Sequence, residues 1–305
     1  MNMINASVLL ISAFFGLYGV ASAIECGIVL KMLTRDKASR KLFTPIWEIT
    51  NVFLVFGITS LVMLFNNALT KLSHDLLASL GVGLVAMLAR ACLVLFIFYI
   101  KTGDKLPSWL VWLLALGTFL VPSSFASAGT YLLTGQLFWH TAIGWALMGS
   151  CVVGLAAVGL LFAERRRSRA GQQIGRLSFA GWLFVLGCAL PLSFLHSANY
   201  LQQSSITAIL GLSAAGLLLM IVSYKKTLML KLWHYGLCCA FAVPILLAWA
   251  LRPYLIAGKL SLAEAYGAQS YGSIIIVGLA IMLPLIILGF YLFSRLFVSD
   301  LSDKN

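Results

Sequence analysis

The sequence predicts an all-α protein that crosses a membrane about nine times. Three observations lead there. Of the 305 residues, 61% are hydrophobic and only 10% are charged. The apolar residues fall in unbroken runs, and the basic residues gather in alternate connections between those runs. A soluble domain carries about 25% charged residues. The mean hydropathy of +1.00 exceeds what a soluble core of this length absorbs, whereas lipid accommodates it.

Each element follows from length. The roughly 30 Å hydrocarbon core requires about 20 apolar residues per helix. Such runs lie near 5–30, 45–66, 76–100, 109–133, 138–163, 177–197, 205–224, 229–250 and 270–294. They are continuous, unlike the alternating stretches of about ten residues that build a membrane barrel. The first run is too long for a signal peptide, and Met1 to Ser7 holds no basic residue before it. It is therefore expected to be a retained span.

Orientation follows from charge. Loop 31–44 holds Lys31, Arg35, Lys37, Arg40 and Lys41, and the next on that side holds Lys101 and Lys105. The third holds Arg165, Arg166, Arg167, Arg169 and Arg176, and the fourth Lys225, Lys226 and Lys231. Arg295 and Lys304 end the chain, while the opposite side has only Lys71, Arg252 and Lys259. Seventeen basic residues thus face three, which predicts an outside N-terminus, a cytoplasmic C-terminus and an odd number of spans. The net charge of +12 belongs to this asymmetry, and nucleic acid is not an expected partner. The eight Trp suit two membrane–water interfaces. The six Cys all lie in apolar runs without a C-x-x-C pair, so they are expected to be small buried hydrophobes, with no metal.

Three ionisable residues stand inside the runs: Glu25, Glu48 and Arg90. A charge at mid-bilayer costs about 3 kcal/mol on insertion scales, so each should meet a partner, a cavity or a proton path. Glu25 lies about 9 Å below Lys31, and Arg90 about 16 Å from Lys101. Tyr18, Ser22 and Glu25 share one face of span 1, and Glu48 and Asn51 one face of span 2. Two readings of Glu48 stand open. In Thr44-Pro45-Ile46-Trp47-Glu48, Thr44 reads as an N-cap and Pro45 as the first helical residue, so Glu48 either complements the helix dipole or takes part in function. Arg90 either pairs with a carboxylate to hold helices together or acts directly. His74, His140 and His196 fall at outer span ends and His234 near an inner one; His140 and His196 meet only the depth condition for a haem pair. Pro122, Pro191, Pro244 and Pro284 mark kinks within spans.

The segment Pro45-Ile46-Trp47-Glu48-Ile49-Thr50-Asn51-Val52-Phe53-Leu54-Val55-Phe56 resembles the Trp-acid segment of subunit II of cytochrome bd-type quinol oxidases. Ile24-Glu25-Cys26-Gly27 is similar to that family's Phe-Asp-x-Gly signature, with Glu in place of Asp. Ala89-Arg90, and Pro284 with Tyr291 to Arg295, add weaker likeness. The resemblance implies two four-helix bundles plus one peripheral helix. The corresponding division is a first bundle over 1–134, a peripheral helix and basic cytoplasmic loop over 135–176, and a second bundle over 177–305. It also implies a heterodimer with a subunit I that carries haem b and haem d and performs quinol oxidation and oxygen reduction to water. No cofactor is expected on this chain. Lipids, quinone and a small single-span subunit complete the implied partners, in a bacterial or archaeal cytoplasmic membrane. Glu48, Glu25, Asn51 and Arg90 are the implied proton-pathway residues, with Trp47 beside them. The competing class is a proton-coupled secondary transporter, for which inverted repeats and matching broken helices are expected.

Overall fold

A computed structural model describes residues 2–33, 37–100, 107–164 and 229–302, with isolated positions 207, 211 and 214. Its long helices are α1 (Asn2–Leu33), α2 (Lys37–Leu64), α3 (Leu69–Leu95), α4 (Ser108–Thr134), α5 (Ala142–Glu164) and α6 (Met229–Ala250). A two-stranded hairpin, β1 (Tyr254–Ile256) and β2 (Leu260–Ser261), a single turn α7 (Leu262–Ala265) and a last long helix α8 (Gly272–Ser302) follow. Among the described residues, six helices are long and apolar enough to cross a membrane, and a further apolar stretch, His234–Ala250, is shorter. The span expected at 177–197, and that at 205–224 apart from the three isolated positions, lie outside the described residues. Successive helices run antiparallel, so the molecule has a basic end, with the α1–α2 connection, and a hairpin end, with β1 and β2.

Helix α1 is the hub, and its glycines explain why. A Cβ on Gly27 would overlap the Gly159 backbone of α5, and one on Gly159 would overlap the Ala23 carbonyl. A Cβ on Gly16 would come within 2.6 Å of the Phe241 carbonyl oxygen of α6. Small residues let backbones approach where lipid offers no hydrophobic drive for association. Thus α5, from the segment expected to hold a peripheral helix, packs along α1, α4 and α6. The least covered described helix is α8, which rests on α1 and α2 through Leu279, Leu283 and Phe290; Phe290 lies 5.7 Å from Phe53, centroid to centroid.

Helix α2 corrects one expectation. It begins at Lys37, so Pro45 lies inside it rather than at its first turn, and Thr44 is not its N-cap. Proline lacks an N–H, but its fixed φ is helical. The apolar run marks only where the helix enters lipid; the helix itself starts earlier, in the basic loop.

The hairpin end is closed by an ordered cap over 251–271. Gly258 takes a φ of +66° at the turn between the strands. Ser261 and Glu264 form a reciprocal capping box that starts α7. The Ala257 N–H donates to the Leu132 carbonyl at 2.9 Å, and the Gly267 N–H to the Leu64 carbonyl at 3.2 Å. These bonds satisfy carbonyls at the ends of α4 and α2 that no helical donor reaches. Leu255, Ile256, Leu262 and Tyr266 of the cap share one buried cluster with Leu64, Phe65, Leu72 and Tyr131.

Candidate functional site

Helices α1, α2 and α3 each send one polar side chain to a common point. Arg90 Nη1 donates to Glu25 Oε1 at 2.7 Å, and Arg90 Nη2 donates to Asn51 Oδ1 at 2.8 Å. Glu25 and Arg90 are wholly buried. Arg90 fits because α4 presents Gly117 to it: a Cβ there would come within 3.2 Å of the Arg90 Cβ. Guanidinium geometry suits this post, since its planar fork serves two acceptors at once. Glu25 Oε2, Arg90 Nε and Thr118 Oγ1 are buried with no hydrogen-bond partner among the described residues. Thr50, one residue from Asn51, donates its hydroxyl proton to the Ile46 carbonyl at 2.8 Å.

Glu48 sits apart. It is exposed on α2, on the same outward stripe as Val55, Thr59 and Val62, while Asn51 turns inward to Arg90. It also lies well beyond the first turn of α2, and the dipole's influence fades within that turn. The helix-start reading of Glu48 therefore falls. Trp47 packs against the buried cluster that includes Phe43, Ile28, Val29 and Met32, and its Nε1 is buried with no partner among the described residues.

The histidines do not converge among the described residues. His74 lies 3.1 Å from Asp75 Oδ1 and is exposed, and His140 accepts from Trp139 Nε1 at 3.0 Å. His196 lies outside the described residues. Among those described, no three His, Cys, Asp or Glu side chains form a metal-binding group.

Sequence reasoning missed two contributors. One is Gly117, which only a contact across helices reveals. The other is the Gly27–Gly159 crossing. Its signal was present as Gly19, Ala23 and Gly27, small residues repeating every fourth position.

The comparisons with known proteins agree with this architecture. A solved structure, "The structure of bd oxidase from Geobacillus thermodenitrificans", contains a chain of similar fold, with a TM-score of 0.76 and 18% identity, covering 97% of this chain and 99% of that one. The comparison with curated protein sequences returns no match. The family described as cytochrome bd terminal oxidase subunit II matches residues 3–297, nearly the whole chain. The chain belongs to the cytochrome bd terminal oxidase subunit II family.

Proposed function

We propose that this chain is the accessory subunit of a quinol-oxidising, oxygen-reducing complex, and that it carries part of the route by which protons enter from the cytoplasm. It acts as a heterodimer with subunit I, which holds haem b, haem d and the chemistry. Its N-terminus lies outside and its basic end faces the cytoplasm, a reading the charge asymmetry supports.

The observation that supports this reading is the exposed Glu48 within the membrane-crossing stretch Phe43–Leu64. A carboxylate facing lipid costs about 3 kcal/mol or more. A protein partner over this face of α2 removes that cost and leaves Glu48 at the boundary between subunits. Reduction of oxygen to water consumes protons, and a buried centre draws them along polar side chains and water. Glu48 is the proton-carrying group in this scheme. Glu25, Arg90 and Asn51 form a fixed polar shelf behind it. Arg90 holds Glu25 in place, and Asn51, one turn from Glu48, links the shelf to the relay.

The test is turnover per haem in a Glu48→Gln complex. We expect normal assembly and haem content with slowed quinol oxidation, most at high pH, where protons are scarce. Glu48→Asp should keep more activity, because it preserves a carboxyl at this position. Unchanged turnover across the pH range would remove Glu48 from the route.

A further inference from the structure

At the hairpin end the fold joins two lysines that stand 188 residues apart in the chain. Lys71, in the first turn of α3, donates from Nζ to the Lys259 carbonyl at 3.2 Å. Lys259 lies in the turn between β1 and β2. Its stem crosses Gly135 at the end of α4, where a Cβ would come within 3.4 Å of the Lys259 Cε. Its Nζ lies 5.4 Å from the centre of the Tyr131 ring. Both lysines are exposed, yet each side chain is held by a contact with another element.

Neighbouring ammonium groups repel each other and call for a counter-ion. The acids at this end of the described chain are Asp75 and Glu264, and both are engaged elsewhere. Asp75 Oδ2 accepts from the Tyr131 hydroxyl, and Oδ1 lies 3.1 Å from His74 Nδ1. Glu264 Oε2 accepts from the Ser261 N–H at 3.1 Å. Among the described residues, neither lysine forms an ion pair with a carboxylate.

The surface beneath these charges is apolar and open. Lys71, His74, Ala78, Gly81, Val85 and Leu88 follow one outward stripe of α3 at three- and four-residue spacing. Ala78 and Gly81 keep the stripe low, and a Cβ on Gly81 would meet nothing within 4 Å. Val85 and Leu88 are exposed below them. From Lys71 to Gly81 the stripe descends about 15 Å, half of the roughly 30 Å hydrocarbon core. A soluble anion would use only the charges. A lipid uses both the charges and the track, with its phosphate level with the lysines and a chain reaching the middle of the bilayer.

We propose that Lys71 and Lys259 clasp the phosphate of an anionic phospholipid in the leaflet at the hairpin end, with one acyl chain laid along the Ala78–Gly81 stripe. A phosphodiester offers acceptor oxygens to both ammonium groups at once and relieves their repulsion. It ties α3 to the cap over 251–271, beside the direct bond from Lys71 to Lys259. A headgroup of net negative charge suits the site. A zwitterionic one brings its own cation, which competes for the phosphate.

The experiment uses the complete oxidase, freed of loosely held lipid by detergent exchange and titrated with phosphatidylglycerol, with phosphatidylcholine or with inorganic phosphate alone. Native mass spectrometry counts the lipid retained. The wild type should hold one phosphatidylglycerol more than the Lys71→Gln/Lys259→Gln double variant. The affinity for that lipid should fall about thirtyfold in the double variant, roughly fivefold for each charge removed. Lys71→Arg/Lys259→Arg should keep it, because the charges remain. Equal retention by the wild type and the Gln double variant would overturn the proposal, as would phosphatidylcholine held as tightly as phosphatidylglycerol. Displacement of the lipid by millimolar inorganic phosphate would make this a site for a free anion and also end the proposal. A test on the wild type alone stands even if the variants fail to assemble. Raising salt to about 1 M, where the Debye length is about 3 Å, should release the extra phosphatidylglycerol, and retention unchanged by salt would refute the charge clasp. These measurements read binding without turnover, so the outcome of the Glu48 test does not bear on them.

Discussion

Replacing Arg90 by Met removes a buried cation but keeps an unbranched stem to fill the space that Gly117 leaves. The loss therefore reads on charge more than on a cavity. Arg90 Nη1 lies 2.7 Å from Glu25 Oε1, and both side chains are sealed from solvent. At an effective dielectric near 20, unit charges about 3–4 Å apart attract by roughly 4–6 kcal/mol. Desolvation offsets much of this, so the pair is worth little against a well-packed apolar substitute. Removing one partner alone is different, and costs about 3–5 kcal/mol, because the other charge stays buried. Arg90→Met and Glu25→Gln should each destabilise, Arg90→Met by that amount and Glu25→Gln comparably. The double variant should recover part of the loss, with a coupling of about 2–3 kcal/mol. Equilibrium SDS titration of the purified complex, followed by helicity, measures all four species. If the losses add within about 0.5 kcal/mol, the two charges do not act as a pair and the shelf described above is not held by them.

Three further outcomes are expected. Gly159→Leu should force α1 and α5 apart at Gly27 and reduce the yield of assembled complex, while Gly149→Leu, in open space on α5, should not; equal yields would refute the crossing. Reporter fusions after Lys41 and after Leu201 should report cytoplasmic and external locations respectively, and cytoplasmic activity at the second would sink the nine-span topology. His140→Ala should leave the b-type haem spectrum of the complex unchanged, because His140 is exposed beside Trp139; a specific loss would make it a ligand.

Hydropathy located the described spans because lipid imposes a length and a composition on each helix, and both are written locally. The pairing of Glu25 with Arg90 was one of several open possibilities, since which helix faces which is not a local property. The inward turn of Asn51 and the outward turn of Glu48 could not be told from their shared three-residue spacing, because neighbours on both sides of α2 decide which flank is buried. The start of α2 was misplaced for a related reason: an apolar run marks the membrane's edge, and a helix need not end there. The cap over 251–271 escaped notice because its two strands are too short to show alternation. Its bonds run to Leu64 and Leu132, far away in sequence.

Those bonds set an order of events during synthesis. Leu64 waits for Gly267, which emerges some 200 residues later. At about 5–20 residues per second, that is roughly 10–40 s of translation. Throughout that interval the hairpin-end rim of α2 and α4 is unfinished, with last-turn carbonyls turned to water at the bilayer surface. The first helices can therefore enter the membrane early but lock late, and a chain cut after α6 would insert normally yet never latch shut.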